Sequence, residues 1–180
     1  MPPITRRELV QTGAAGVALL ALANCARSTT PARPPFDDPR YAYRALAGGD
    51  RELLAAVASA LLAGSLPADP AAYAAALVRT VRGVDVAVSG LPPAVRAEVH
   101  QLFGLLEFAP TRGFAAGIWS SWGDASPRDV ADFLTHWRFS GVALFRSGYQ
   151  ALHQLVMAAW YGNPSSWARI GYPGPPAVSE

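Results

Sequence analysis

Between residues 50 and 162, apolar side chains recur at intervals of three or four, and alternation of apolar and polar residues is not sustained anywhere. An interval of three or four places side chains on one face of an α-helix, whereas a half-buried strand needs a period of two. The chain is therefore predicted to be all-α, a bundle of about five helices, with an irregular C-terminal tail rich in Gly, Pro and aromatic residues.

Proline and capping residues set the predicted helix starts, and glycine sets the ends. The helices are expected to begin at Asp50, at Pro70 after an Asp69 cap, at Pro92 or Pro93, at Pro127 after a Ser126 cap, and beyond a break at Gly141. The first ends near Ala63, before Gly64, and the last ends at Gly162. Predicted core positions include Leu54, Val57, Leu61, Tyr73, Leu77, Val81, Val84, Val88, Val95, Val99, Leu102, Leu106, Phe145, Leu152 and Val156.

The composition excludes several classes of chemistry. The 180 residues are 51% hydrophobic and 16% charged, which suits one compact domain. All 15 basic residues are arginine, so lysine-dependent Schiff-base or P-loop chemistry is excluded. These arginines are scattered and the net charge is only +2, which indicates no nucleic-acid partner. A single cysteine, Cys25, excludes an internal disulfide.

The first 25 residues have the pattern of an export signal. Arg6 and Arg7 follow a hydroxyl residue and precede an uncharged run from Leu9 to Ala23, which is too short for a stable membrane anchor. The paired arginines resemble the twin-arginine signal and place the mature chain in the periplasm. Two cleavage sites for the signal peptide remain possible. Cleavage after Ala23, at an A-x-A site, would release a soluble chain. A lipobox would instead lead to acylation of Cys25, which would hold the chain at the membrane surface.

The remaining chain divides into three predicted parts. Residues 26–40 are Pro-rich and are expected to be an extended linker, residues 41–161 form the bundle, and residues 162–180 form the aromatic and Pro-rich tail. Trp167 and Tyr172 in the tail either fold back on the bundle or anchor in a partner, because Trp and Tyr are common at interface hot spots. A second irregular segment, residues 112–123, combines glycines with Phe114, Trp119 and Trp122.

No motif for independent catalysis is present. The three histidines lack the spacing of a known metal site, and the Asp132 and His136 pair on one helical face lacks a third ligand. No serine lies in a nucleophile-elbow motif. The chain is therefore predicted not to be an enzyme and to hold no cofactor or metal.

The C-terminal residues carry a family resemblance. The sequence Tyr161-Gly162-Asn163-Pro164, followed by Trp167 and Ile170-Gly171-Tyr172-Pro173-Gly174, is similar to the small subunits of the gluconate 2-dehydrogenase type. The match covers about the last fifty residues, and between the Tyr-Gly pair and Trp167 the chain is shorter than in many members. The resemblance implies a helical, twin-arginine-exported companion of a flavin-dependent dehydrogenase of the glucose-methanol-choline family.

The same resemblance implies that FAD and the chemistry belong to the large subunit, with a cytochrome c subunit as a further partner. The residues that we expect at the contact are Trp137, Arg138, Arg146, Tyr149, Trp160, Tyr161, Trp167 and Tyr172. The alternative hypothesis is a stand-alone periplasmic lipoprotein that binds a small ligand between its helices through the same aromatic side chains.

Overall fold

The computed structural model describes residues 38–167 and 171–174, which belong to one compact unit. The signal, Arg6, Arg7, Cys25 and most of the predicted linker lie outside the described residues. The all-α prediction is confirmed, since the described part of the chain contains helices and no strand. None of those helices has the length and apolar character needed to cross a membrane.

The five predicted helices are all present. They are α1 (Gly48–Leu61), α2 (Pro70–Ser89), α3 (Pro93–Glu107), α4 (Pro127–Arg138) and α5 (Ala143–Tyr161). The predicted caps of α2 and α4 are confirmed, because Asp69 accepts from the backbone N–H of Ala72 at 2.8 Å and Ser126 accepts from that of Asp129 at 3.1 Å. These bonds satisfy N–H groups that the first helical turn leaves without a partner.

Two boundary predictions need correction. Helix α1 begins two residues before Asp50, and Asp50 caps it from within by accepting from the N–H of Ala47 at 2.8 Å. Within the tail predicted to be irregular, Pro164–Trp167 form one helical turn. Proline favours a first helical position because its φ is already helical and it has no N–H to satisfy.

Helix α1 lies at the centre of the bundle and contacts each of the other four long helices. Its buried residues include Leu53, Leu54, Ala55, Val57 and Ala58, which are too many for one narrow face, as expected for a helix covered on several sides. The longest packing seam joins α2 to α5. The two backbones approach closely there, since a Cβ at Gly83 would lie 2.9 Å from the Ala159 Cβ.

Five predicted core positions are wrong or incomplete. Val95 is exposed, and four others pack against the core but are only partly buried, namely Leu61, Tyr73, Leu102 and Phe145. Phe103 is fully buried and was not predicted. The helical phase of α3 places Val99, Phe103 and Leu106 at intervals of four and three toward the core.

A buried carboxylate attaches the N-terminal segment, residues 38–47, to the bundle. Asp85 of α2 is fully buried and accepts from the backbone N–H groups of Arg44, Ala45 and Leu46 at 2.8 to 3.1 Å. The Tyr41 hydroxyl donates to the same carboxylate at 3.1 Å. Three consecutive amides converging on one carboxylate satisfy its charge without an arginine, so this attachment is independent of a salt bridge.

An ion pair extends the same attachment. Arg82 pairs with Asp38 and lies over the Tyr41 ring at 4.7 Å. Hydrogen bonds from the Arg40 backbone and from the Arg82 guanidinium lower the pKa of Asp38 to about 2, whereas burial and the neighbouring Asp85 raise the pKa of Tyr41. Asp38 was predicted to be linker, so the predicted boundary at residue 41 falls inside the packed region.

Candidate partner-binding surface

Eleven large apolar side chains are exposed among the described residues. Large apolar side chains are more stable when they are removed from water. A cluster of them on the surface of a monomer therefore indicates a surface that a partner covers. The set comprises Val95, Leu105, Phe108, Phe114, Trp119, Phe139, Val142, Leu144, Tyr161 and Tyr172, with Val86 on α2 in addition.

Part of this set borders an open groove of about 470 Å³ between α3 and α5. We call it the α3/α5 groove, and its apolar lining includes Val95, Leu102, Leu105, Trp137, Leu144 and Phe145. Trp137 stacks on Phe145 with ring centroids 5.1 Å apart. Gly148 makes this possible, because a side chain there would collide with the Trp137 ring. The stacked rings of Trp137 and Phe145 therefore form the base of the groove, and exposed apolar side chains form its rim.

Two arginines lie at the α4–α5 junction near this groove. The Arg138 guanidinium lies 5.2 Å from the Phe139 ring centroid and 5.9 Å from that of Tyr149. Arg146 donates to the Ser140 carbonyl at 2.6 Å. Both side chains are exposed, so a partner bound at the apolar rim would also meet their two positive charges.

The second irregular segment forms an aromatic projection. We call residues 108–122 the aromatic segment, which contains a helical turn, a π-helix (Arg112–Ala116) and a left-handed Gly117 with φ 73°. The exposed rings of Phe114 and Trp119 contact each other edge to face at 5.3 Å. Trp119 lies directly on Gly113, where a Cβ would be 2.6 Å from the ring. π-helices are rare and are often found at functional sites.

Three polar contacts hold the aromatic segment to the bundle. The Trp122 indole N–H donates to the Leu106 carbonyl at 2.9 Å, and that of Trp137 donates to the Ala115 carbonyl at 2.7 Å. Arg112 Nη1 donates to the Glu107 carbonyl at 3.1 Å. The buried indoles thus fix the segment while its outer rings stay in solvent.

The described part of the tail, residues 162–167 and 171–174, makes contacts with itself and with the end of α5. The Trp167 indole N–H donates to the Tyr161 carbonyl at 2.7 Å, and the Trp167 and Tyr172 rings meet edge to face at 5.3 Å. Ser166 is buried, and its hydroxyl donates to the Trp160 carbonyl at 2.7 Å. Self-packing, one of the two predicted alternatives for Trp167, therefore accounts for the position of its ring.

The structure divides the eight predicted contact residues into two groups. Trp137, Arg138, Arg146 and Tyr149 lie near the N-terminal half of α5, whereas Trp160, Tyr161, Trp167 and Tyr172 lie near its C-terminal end. About 27 Å of helix separates the ends of α5 at 1.5 Å per residue, so the structure does not gather the eight into one site.

Burial corrects three of these eight positions. Trp137 is 1% exposed, and Tyr149 and Trp160 are also buried, because all three face the core of the bundle. They support the surface from beneath and present little area of their own to a partner. Phe114, Trp119 and Leu144 are far more exposed and were not among the predicted contacts. In the sequence, the glycines around Phe114 and Trp119 are the feature that could have indicated these exposed positions.

Among residues 38–167 and 171–174, no group of three or more His, Cys, Asp or Glu side chains is placed to hold a metal ion. Asp132 of the predicted Asp132 and His136 pair lies 3.8 Å from the Arg128 guanidinium instead, and both of these side chains are largely exposed.

A pair of carboxyl groups lies where α1 meets α3, and sequence reasoning missed it. Asp50 is buried, and Glu107 lies beside it as the last residue of α3. Burial, together with a hydrogen bond and repulsion from Asp50 and the charge of Glu52, raises the pKa of Glu107 to about 7. A hydrophobic pattern cannot reveal such a pair, because its members are 57 positions apart in the sequence.

No protein-family model, curated protein or solved structure matches this chain.

Proposed function

We propose that this chain is a non-catalytic small subunit that assembles with a membrane-associated, FAD-dependent alcohol or sugar dehydrogenase and helps to export it. The observation that carries the proposal is the set of large apolar side chains exposed on the rim of the α3/α5 groove and, separately, on the aromatic segment. A surface of this kind suits burial against a larger protein, where aromatic side chains supply most of the binding energy.

The resemblance at the C-terminus supplies the identity of the partner. It assigns FAD and the chemistry to the large subunit, and it admits a cytochrome c subunit as the next electron carrier. Under this proposal the present chain contributes the export signal at Arg6 and Arg7, and one exported precursor carries the folded flavoprotein with it into the periplasm. Acylation of Cys25 would hold the complex at the membrane surface.

The test compares two surface substitutions of the same chemistry. Leu144→Asp places a charge on the rim of the α3/α5 groove, and Val86→Asp places one on an exposed apolar position of α2. Both sites are solvent-exposed, so each variant should retain the helical circular dichroism and melting temperature of the parent chain. Leu144→Asp should reduce co-purification of a flavin-containing dehydrogenase from the native membranes at least about tenfold, which corresponds to about 1.4 kcal/mol.

Val86→Asp is the matched control and should leave that co-purification unchanged. Equal loss from the two variants would contradict a specific role for the groove. Absence of any flavoprotein from the unmodified complex would contradict the companion-subunit proposal itself. Intact-mass measurement of the mature chain distinguishes an acylated Cys25 from a free N-terminus at Asn24.

A second candidate function follows from the size of the same groove. Its volume of about 470 Å³ lies within the range of small-molecule sites, about 300–1,000 Å³. A stand-alone periplasmic lipoprotein that binds a small apolar ligand is therefore the alternative. Native mass spectrometry of the purified chain distinguishes the two, because the alternative predicts a bound small molecule and no protein partner.

A further inference from the structure

The carboxyl pair at the junction of α1 and α3 is packed without a neutralising partner. Asp50 Oδ2 accepts from the Ala47 N–H, which uses one of its oxygens to cap α1. The Glu107 carboxyl lies directly over the α1 backbone, because a Cβ at Gly49 would be 2.5 Å from Oε1. That Oε1 atom is buried and has no hydrogen-bond partner. The close packing at Gly49 thus holds the buried Oε1 atom beside a second acidic group, while the rest of the Glu107 side chain is partly exposed.

The charges around Glu107 come from two elements. Asp50 and Glu52 on α1 are both acidic and oppose ionisation of Glu107. Arg112 approaches from the aromatic segment, but its Nη1 is bonded to the Glu107 carbonyl and its Nε to the Ile118 carbonyl at 3.3 Å. The Arg112 guanidinium therefore donates to backbone carbonyls, and the side chains that act on the Glu107 carboxyl are those of Asp50 and Glu52.

We propose that Glu107 holds a proton beside Asp50, and that loss of this proton loosens the attachment of the aromatic segment to the bundle. On deprotonation, the carboxyl O–H bond of Glu107 breaks and the proton passes to water. The acidic side chains of Asp50 and Glu52 then repel the Glu107 carboxylate, whose buried Oε1 atom has no hydrogen-bond donor, and the Glu107 side chain moves off Gly49. The proposal concerns this chain alone and does not depend on the identity of a partner.

The position of Glu107 in the chain links this event to the exposed rings. The aromatic segment begins at the next residue, and two of its anchors end on neighbouring carbonyls, Trp122 on Leu106 and Arg112 on Glu107. Movement of the end of α3 therefore shifts both acceptors together. Phe114 and Trp119 would be held firmly in acid and more loosely above neutral pH, where ionisation of Glu107 is expected from its raised pKa.

Hydrogen exchange measured on the full chain tests this proposal. After correction for intrinsic rates, amides of residues 108–119 should exchange up to about thirtyfold faster at pH 8 than at pH 5.5, because for a pKa of about 7 the ionised fraction of Glu107 rises from about 3% to about 91% between these pH values. Glu107→Gln keeps the shape and removes the charge, so its corrected exchange should be equal at the two pH values. Asp132→Asn removes an exposed charge on α4 and should behave as the parent chain does.

A corrected exchange rate in the parent chain that does not change with pH would overturn the proposal, and so would an unchanged pH response in Glu107→Gln. If Glu107→Gln fails to fold, infrared difference spectroscopy of the parent chain decides the matter. The C=O stretch of a protonated carboxyl should persist at pH 6 and disappear by pH 8. Its absence at pH 6 would refute a protonated Glu107 and, with it, the proposal.

Discussion

Replacing Asp85 by alanine should detach the N-terminal segment and cost the chain much of its stability. The substitution removes one acceptor from four donors, namely the Tyr41 hydroxyl and the amides of Arg44, Ala45 and Leu46. An unsatisfied buried donor costs about 1–3 kcal/mol. The Leu46 amide is buried and should cost about this much, whereas the part-buried amides of Arg44 and Ala45 should each cost less, so the expected total is about 2–5 kcal/mol. The free energy of unfolding of a typical domain is only about 5–15 kcal/mol.

Urea denaturation, followed by far-ultraviolet circular dichroism, measures this loss. Asp69→Ala is the matched control, because it removes one exposed acceptor from the cap of α2 and should cost about 1 kcal/mol. The loss of stability for Asp85→Asn should fall between those for Asp85→Ala and Asp69→Ala. The asparagine keeps one oxygen that accepts hydrogen bonds, but its side-chain NH₂ group would face the other backbone donors. A loss below about 1.5 kcal/mol for Asp85→Ala would refute the reasoning, because the amides would then have found other partners at little cost.

Three further predictions concern separate parts of the chain. Gly148→Ala should destabilise the fold by about 1–3 kcal/mol in urea denaturation, because the added methyl group collides with Trp137. Burial and the neighbouring Asp50 and Glu52 raise the pKa of Glu107 in the fold to about 7, above the ordinary value of a glutamate, so its charged form disfavours the fold. Stability should therefore fall as pH rises from about 4.5 to 7, and Glu107→Gln should raise thermal stability at pH 8, by about 1–2 kcal/mol after allowance for solvent screening, with no change at pH 4. Replacement of Arg6 and Arg7 by lysine should leave precursor in the cytoplasm on an immunoblot, since lysine lacks the guanidinium fork, and normal periplasmic yield would indicate the general secretory route.

Most of the fold follows from local signals in the sequence. The Asp69-Pro70 and Ser126-Pro127 pairs set two helix starts correctly, because a cap and a proline act within one turn and need no tertiary information. Val95 was wrongly placed in the core, since apolar periodicity cannot distinguish a face that packs inward from one that lines an open groove. Its exposure on the rim of the α3/α5 groove is the very feature that makes the groove a candidate surface.

The candidate site was less predictable than the fold for a related reason. The sequence around a tryptophan does not show whether its ring is buried beneath a surface or exposed on it. Trp137 is buried because Gly148, eleven residues later, leaves room for its ring, whereas Trp119 is exposed because Gly113 lets it lie flat on the outside of a π-helix. Such glycine and ring pairs depend on tertiary contacts that no local pattern reports.

The two groups of predicted contact residues suggest how a partner would have to bind. The groove and its arginines lie near the start of α5, and Tyr161 and Tyr172 remain exposed near its end. A partner that buried both would span about 27 Å along α5, a length suited to a large subunit and far beyond a small ligand. Ligand binding needs the groove alone. Tyr161→Ala, which leaves the groove intact and removes an exposed ring, therefore separates the two functions, because it should weaken association with a dehydrogenase and leave occupancy by a small molecule unchanged.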